Sequence, residues 1–326
     1  MNTQRRFFHR TAVALSLGLG LGLATAQTYP SKPLRIVVGA PAGGTADLMA
    51  RVVGDELTKG IGQPVVVDNK PGAAGLLGLQ ELLKSPHDGH TMLLSVNGLV
   101  SEIPQAVKMP VDPLKELKPV IELARTGLLF VSNAGLPVTS VKEAVAQIKA
   151  NPGKVNYASY SPGTLSHTLG LEFNKLMGTD MIHVGYRGSP PALADVVAGH
   201  VSYMFDGPAT SIPMAKGGKI RVLATTAPQR LSVLPDVPTF AELGYKDLTE
   251  TAWMGMFITP DVPAPVQARL RELLGQVMAL PAVRQKFAGL GLDVVNSPSS
   301  EELQQSLAAA SARQAATLKA VGFKPE

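Results

Sequence analysis

Two short stretches of glycine and hydroxyl residues are the parts of this sequence best suited to bind an anion. One reads GAPAGGTAD at 39–47 and the other reads YSPGTLSH at 160–167. Each leads into a run with helical spacing, and the first N–H groups of a helix have no partner within that helix. The helix dipole also stabilises a nearby anion by roughly 0.3–1 kcal/mol. A carboxylate would therefore suit either helix start without requiring an arginine.

Each stretch also allows a purely structural interpretation. Glycine serves in tight turns as well as in anion-binding loops. Ser161 or Thr164 could simply cap the helix that follows. The residues alone leave both interpretations open, although two such helix starts could also face each other across a cleft.

A third stretch, at 185–210, adds another helix start and an acidic residue. Gly188 and Ser189 lead into Pro190, which stands at a helix position that tolerates a missing N–H. Asp206 ends a strand-like run. It could bind a ligand amine or hydroxyl, or it could cap the helix that follows, and both alternatives stay open.

Motifs of catalysis and of metal binding are absent from the sequence. The glycines match neither a P-loop nor G-x-G-x-x-G, and no G-x-S-x-G nucleophile elbow occurs. Ser166 and His167 are neighbours, so on a helix they point about 100° apart and cannot act as nucleophile and base. With no cysteine, thiol chemistry and cysteine-ligated metal are excluded. We expect a binding protein without catalytic residues, metal or cofactor.

The composition suits two domains and argues against nucleic acid as a partner. The chain has 326 residues, of which 45% are hydrophobic, enough for a substantial core. Arg5, Arg6 and Arg10 contribute three of the charges behind the formal net charge of +5. Without them, 27 basic residues face 25 acidic ones, a balance of only +2. So mild and scattered a charge does not predict nucleic-acid binding, and we expect a monomer.

The first 26 residues have the layout of an export signal. QRRFFHR is cationic, AVALSLGLGLGL is apolar but shorter than the ~20 residues of a membrane span, and ATA places small residues before Gln27. This layout predicts cleavage after Ala26. The pair Arg5-Arg6 also resembles a twin-arginine signal, and the choice between that route and the ordinary secretory route stays open.

Beyond residue 27, strand-like and helix-like runs alternate, which predicts an α/β fold. The strand-like runs lack polar alternation, which favours parallel sheets covered on both faces. In the first set we predict strands at 34–40, 64–69 and 91–96, with helices at 45–60 and 73–85. A second set begins near Leu128, and the tail predicts helices at 264–291 and 299–322.

The simplest arrangement of these units is two lobes between which the chain crosses twice. Domain 1 would comprise 27–124 together with 225–326, and domain 2 would comprise 125–224. The cleft between them would lie at the carboxyl ends of strands, where open sheets bind ligands.

Seven stretches in this order resemble one known family over nearly the whole mature chain. They are YPSKPLRIVV with GGTADLMAR, VVVDNKPGAAG, SPHDGHTMLLSV, NPGKVNYASYSPGTLSH, HVGYRGSPPALADVVAGHVSYMFD, RVLATTAPQRLSVLPDVPTFAEL and WMGMFITPDVPAP. The family is that of the periplasmic solute-binding proteins of tripartite tricarboxylate transporters, the Bug family. The resemblance implies a type II periplasmic-binding-protein fold, in which two α/β domains joined by two crossovers close on a small carboxylate in a central cleft.

The resemblance also implies where the ligand binds. The expected ligand-binding residues are Ala40, Ala42, Gly43, Gly44, Thr45, Asp47, Asn97, Ser161, Gly163, Thr164, Ser166, His167, Gly188, Ser189, Pro190 and Asp206. Three departures from the usual family pattern lie in or beside this set. Ala42 stands where the family usually has proline, and Gly185 and Arg187 replace a usual proline and lysine. After His167, the usual Leu-Ala-Gly-Glu-Leu-Phe is Thr-Leu-Gly-Leu-Glu-Phe.

The resemblance implies a periplasmic protein that delivers its ligand to the membrane subunits of a transporter. Di- or tricarboxylates, aromatic carboxylates and acidic amino acids are the expected ligands. A sensory protein that docks on a membrane kinase is the alternative, and the sequence cannot separate the two. A hydrolase of small esters is disfavoured, because no nucleophile–base pair is present.

Overall fold

The computed structural model describes residues 29–320, so the predicted export signal at 1–26 lies outside the described part. Within that range the strands form two five-stranded sheets. The first sheet contains β1 (Leu34–Val38), β2 (Val65–Asn69), β3 (Thr91–Val96), β4 (Lys118–Thr126) and β10 (Ala252–Ile258). The second contains β5 (Leu129–Asn133), β6 (Asn156–Ser159), β7 (Ile182–Gly185), β8 (Tyr203–Asp206) and β9 (Ile220–Thr225).

Helices cover the sheets and connect the strands. They are α1 (Thr45–Ile61), α2 (Leu76–Lys84), α3 (Gly98–Ser101), α4 (Ile103–Ala106), α5 (Pro113–Glu116), α6 (Val141–Lys149), α7 (Leu165–Met177), α8 (Ser189–Ala198), α9 (Pro208–Lys216), α10 (Ala264–Ala279), α11 (Pro281–Gly289) and α12 (Ser300–Ala320). None of the helices in 29–320 is long and apolar enough to cross a membrane.

The α/β organisation is confirmed, but the prediction of parallel sheets is only partly right. In the first sheet, ordered β2-β1-β3-β10-β4, strand β1 is parallel to β2 and β3, whereas β10 is antiparallel to both of its neighbours. In the second, ordered β7-β6-β8-β5-β9, strand β5 is antiparallel to β8 and β9. Both β5 and β10 enter their sheet from the other sheet rather than through a helical crossover, so the right-handed βαβ rule does not fix their direction.

Strand β1 shows why the strands lack polar alternation. Leu34, Ile36 and Val38 pack into the core on the α1 side, while Val37 packs into a separate core on the opposite face with Leu79 and Leu93. All four of these β1 side chains are fully buried. A strand with both faces covered carries apolar residues on both faces, and in β1 only the partly exposed Arg35 departs from this.

The predicted helix at 264–291 is wrong as one element, because it is split at Leu280. That residue is extended, with φ −64° and ψ 125°, between α10 and α11. Pro281 follows it, and proline disfavours helical geometry in the preceding residue. The predicted helix at 73–85 likewise begins as a 3₁₀ turn, Ala73–Gly75, before α2.

The chain passes between the sheets at two points that lie side by side. One crossing is between β4 and β5, and the other is the long segment between β9 and β10. Leu128 N donates to Thr226 Oγ1 at 2.8 Å, and Thr226 N donates to Leu128 O at 2.8 Å. These paired bonds hold the two crossings together, while the domain limits at 124/125 and 224/225 stay a prediction.

Candidate ligand-binding site

A cavity of about 210 Å³ lies between the two sheets, beyond the ends of their strands. Its wall on the first sheet comes from the loop before α1, the 72–75 turn, the ends of β3 and β10, and α3 with α4. Its wall on the second sheet comes from the loops before α7, α8 and α9. Ligands of open α/β sheets bind in this position.

Four helix N-termini converge on this cavity. The N-cap residues of α1, α7, α8 and α9 all line it, and they are Gly44, Thr164, Gly188 and Gly207. In none of the four helices does the N-cap side chain bond the first N–H groups, although prolines in the first turns of α8 and α9 leave these two helices with fewer N–H groups. Unsatisfied N–H groups and the positive ends of four helix dipoles make the cavity favourable for an anion.

In the loop before α1, one backbone N–H group is already hydrogen-bonded to a side chain of the same segment. Gly43 N donates to Asp47 Oδ2 at 2.9 Å, and Arg51 donates to both carboxylate oxygens of Asp47. Burial acts to raise the pKa of Asp47, but the hydrogen bonds from Arg51 and Gly43 outweigh it, so the pKa lies below its ordinary value. Asp47 therefore fixes the loop from behind, while Gly44 and Thr45 face the cavity.

The loop before α7 places Thr164 at the start of the helix, where its side chain does not act as a cap. Thr164 is the N-cap residue, but its Oγ1 donates to Ser161 O at 2.7 Å instead of accepting an N–H of the helix. Both residues line the cavity. The amides at the start of α7 are thus not covered by the hydroxyl that precedes them.

Two further residues of this stretch support the loop from below. Ser166 is fully buried, and its Oγ donates to Phe205 O at 2.6 Å, which ties α7 to β8. Gly163 N donates to His167 Nδ1 at 3.1 Å. The centroid of the His167 ring lies 4.1 Å from that of His183, and the two rings are tilted by 39°. Burial, and then the charge of His183, lower the pKa of His167 to about 4, so at neutral pH its Nδ1 is free to accept.

Asp206 is fully buried behind the wall formed by the loops before α8 and α9. Its Oδ1 accepts from Tyr160 at 2.9 Å and from Ser189 at 2.7 Å. Its Oδ2 accepts from Thr210 at 2.8 Å and Ser211 at 2.6 Å. With four hydroxyl donors, this carboxylate anchors the cavity wall, since neither of its oxygens lies on the cavity surface.

The structure brings seven of the sixteen predicted residues to the cavity surface. They are Ala40, Gly44, Thr45, Ser161, Thr164, Gly188 and Ser189. The other nine lie outside its lining, and they are Ala42, Gly43, Asp47, Asn97, Gly163, Ser166, His167, Pro190 and Asp206. Several of the nine hold the lining residues in place. The predicted set therefore contains two shells around one cavity, the lining residues and the residues behind them.

Two charged lining residues were not predicted as part of the site. Arg187 lines the cavity beside Gly188 and makes no ion pair with another residue of the described range. Its replacement of a usual lysine was the only signal in the sequence. Glu102, from the break between α3 and α4, also lines the cavity. A lone glutamate in a short apolar segment gave no signal for a binding role.

Loops of the two sheets touch around the cavity. A Cβ placed on Gly188 would lie 2.5 Å from Pro41 Cδ, and one on Gly207 would lie 2.8 Å from Thr45 Oγ1. At the opposite rim, a Cβ on Gly163 would lie 2.9 Å from Ala106 Cβ. Gly188 and Gly163 also have φ of 108° and 79°, a region that favours glycine. Loops of the two sheets therefore approach each other closely at both rims of the cavity.

The residues around the cavity offer no metal centre. No group of three or more His, Cys, Asp or Glu side chains within residues 29–320 could hold a metal ion.

Comparison with known proteins gives one consistent result. The family model described as "Tripartite tricarboxylate transporter family receptor" matches residues 49–323. Protein BugT of Bordetella pertussis is 33% identical over 273 residues, which cover 82% of each chain. The structure of Rhodopseudomonas palustris Rpa4515 with adipate has a TM-score of 0.87 at 27% identity, covering 91% of this chain and 100% of the other. That of MatC (Rpa3494) from the same organism with bound malate has a TM-score of 0.81 at 28% identity, covering 88% and 99%.

Proposed function

Since this chain belongs to the tripartite tricarboxylate transporter receptor family, whose members are periplasmic solute-binding receptors, we propose that it captures a small carboxylate in the cavity between its sheets. Closure of the two lobes would trap the ligand, and the loaded protein would deliver it to the membrane permease of a transporter. The family and the fold class expected from the sequence are confirmed by these matches.

One observation carries the proposal of a carboxylate. The N-termini of α1, α7, α8 and α9 end without side-chain caps at one cavity. Each helix spans at least two turns, so each contributes partial positive charge at its start. The neighbours with adipate and malate support the same class of ligand.

Several finer statements belong to the same proposal. The lobes would correspond to 27–124 with 225–326 and to 125–224. The signal would be cleaved after Ala26, by either export route, and the mature protein would act as a periplasmic monomer that neither catalyses a reaction nor binds nucleic acid. We propose the sixteen predicted residues as the two shells of the binding site, seven of them at the cavity surface.

Calorimetric titration of the purified mature chain tests the proposal. The panel would hold succinate, malate, adipate, citrate, benzoate and glutamate, with glucose and spermidine as uncharged and cationic controls. We expect saturable heat and a raised melting temperature with at least one carboxylate and with neither control. If no carboxylate gives heat or a thermal shift, the proposed ligand class is wrong.

Delivery to a permease is tested separately in cells. Deletion of the gene for this chain should abolish uptake of the radiolabelled carboxylate found in the panel, and the intact gene should restore it. Unchanged uptake in the deletion strain, with binding intact in the purified protein, would contradict the transport role alone.

A further inference from the structure

Glu102 is an unusual lining residue for a cavity that suits anions. It is the residue between α3 and α4, and it lies on the first-sheet side of the cavity beside Gly98 and Ile103. An ionised carboxylate there would repel a carboxylate of the ligand. It would attract an N–H or O–H donor instead.

One carboxylate oxygen of Glu102 is hydrogen-bonded by neighbouring side chains, and the other is available to accept a hydrogen bond. Its Oε1 lies 2.9 Å from Ser101 Oγ and 3.2 Å from Asn97 Nδ2, both of which donate to it. Asn97 is itself fixed, because its Oδ1 accepts from Trp253 N at 3.0 Å. Oε2 receives no hydrogen bond from any residue of the described range, and it is not enclosed in the core.

The surroundings of Glu102 act on its pKa in both directions, and the net effect is to raise it. Burial raises the pKa of Glu102, the bond from Ser101 opposes that, Glu250 raises it further and Arg313 lowers it. Arg313 and Glu250 are the charged groups that act on Glu102 from neighbouring elements, and their effects oppose each other. A pH of 8.0 favours the ionised form of the carboxyl group, in which Oε2 accepts hydrogen bonds.

The two walls of the cavity therefore favour different chemical groups of a ligand. The second-sheet wall presents the starts of three helices and the guanidinium of Arg187. The first-sheet wall presents the start of α1 and, separately, the acceptor of Glu102. A molecule that fills the cavity with its carboxylate at the helix starts of the second-sheet wall would place its other end near Glu102.

We infer that this site selects carboxylates that carry a hydroxyl or ammonium donor at the end remote from the bound carboxylate, and that Glu102 Oε2 accepts from that donor. This inference rests on the proposed carboxylate binding and narrows its ligand class. It disfavours plain dicarboxylates, whose second carboxylate would face Glu102.

The test compares matched ligands that differ only at the far end. Calorimetry at pH 8.0 would use 4-aminobutyrate, 4-hydroxybutyrate and succinate, and then 6-aminohexanoate, 6-hydroxyhexanoate and adipate. For the chain length that binds more tightly, we expect the amino or hydroxy acid to bind at least tenfold more tightly than the dicarboxylate. This comparison needs no variant and decides the ligand class by itself.

The variant Glu102→Gln tests whether Glu102 is responsible for this preference. Ser101 and Asn97 donate to the Oε1 position, so they hold the amide oxygen there and turn its NH₂ group toward the cavity. The variant should lose the preference for the donor-bearing acid or reverse it. Glu172→Gln, which removes a carboxylate of α7 outside the cavity lining, is the matched control and should keep the wild-type ratio.

Three results would overturn the inference. Equal or tighter binding of the dicarboxylate by the wild type contradicts the ligand class, while the proposed carboxylate binding stands. The expected wild-type ratio with an unchanged ratio in a folded Glu102→Gln contradicts the role of Glu102. Absence of heat with all six compounds would contradict this inference, whereas the carboxylate function is contradicted only if the wider panel of carboxylates also gives no heat.

Discussion

At the residue scale, the hydroxyl of Thr164 acts on the backbone of its own loop. Its Oγ1 donates to Ser161 O, and the proton is therefore not available to a ligand while that bond exists. We infer that the ligand is bound by the amides that follow, at the start of α7. The hydroxyl keeps those amides pointed at the cavity by closing the turn.

Replacement of Thr164 by valine should therefore weaken carboxylate binding. The loss of the bond to Ser161 loosens the turn, and we expect a cost of roughly 1–3 kcal/mol, the scale for an unmade hydrogen bond at a buried group. Thr164→Ser keeps the hydroxyl and is the control. Titration with the tightest carboxylate of the panel measures both, and an unchanged affinity in the valine variant would remove Thr164 from the site.

His167 gives the protein a predicted loss of stability in mild acid. Its folded-state pKa of about 4 lies below the ordinary value of 6.5, so the unfolded chain binds a proton at higher pH than the folded one does. The contribution of His167 to the free energy of unfolding is then fully present above pH 6.5. It is lost as the pH drops toward 4, and the loss amounts to up to about 3 kcal/mol. Urea unfolding between pH 7 and pH 4 measures this decrease.

His167→Asn is the matched variant for that measurement. The asparagine Oδ1 can accept from Gly163 N in place of Nδ1, but it does not titrate. The variant should lose less stability than the wild type between pH 6.5 and 4. Parallel curves for the two proteins would show that His167 is not the group responsible.

The polar residues of the site were predictable as a set, but their roles were not. Asp206 and Thr164 were recognised from the loops that contain them, yet only the fold places the first behind the wall and the second on it. The depth of a residue depends on how the two sheets meet, which is not encoded locally. Glu102 was missed because no local pattern marks a glutamate that long-range packing brings to a cavity.

At the element scale, the closeness of the two crossings sets a condition on Gly127. A Cβ at this position would lie 2.2 Å from Ala227 N, a backbone atom that cannot move aside. Only glycine lets the crossings pack side by side and form the paired bonds between Leu128 and Thr226. The crossings are the segments that must bend if the lobes open.

Gly127→Ala should therefore destabilise the protein. We expect the free energy of unfolding to fall by about 1–3 kcal/mol, the usual cost of overpacking. Gly275→Ala is the control, because its Cβ would meet no atom within 4 Å and it lies inside α10. That change should raise stability by about 0.5–1 kcal/mol. Urea unfolding measures both changes. A Gly127→Ala variant as stable as the wild type would contradict the close packing of the two crossings.

Most elements could be predicted from local patterns, and the failures share one cause. Strand β3 at 91–96 was predicted with its observed limits, because the run is apolar and ends at Asn97. The antiparallel direction of β5 and β10 was not predicted, because direction depends on which sheet the chain has just left. Local sequence fixes the type of an element more strongly than its partner.

At the scale of the whole molecule, we propose that the lobes separate and close again as the ligand binds. The rims lie close together at Gly188 with Pro41, at Gly207 with Thr45 and at Gly163 with Ala106, so a movement of the lobes would change the access to the cavity. Two crossings held side by side allow such a hinge motion. The ligand-free protein in solution should then sample a more open form.

Small-angle X-ray scattering tests this closure. A saturating carboxylate from the panel should lower the radius of gyration of the wild type, because it contacts both lobes and favours the closed form. Glucose should leave the scattering unchanged. An identical radius of gyration with and without a carboxylate that binds tightly in calorimetry would contradict closure by the ligand.

Helix starts from both sheets should hold the carboxylate, and a crystal structure with the tightest ligand of the panel would show whether they do. We expect carboxylate oxygens about 2.7–3.1 Å, directly or through one water, from amide nitrogens at the start of α1 and of α7. Density for the ligand outside the cavity, or a carboxylate turned away from every helix start, would contradict it.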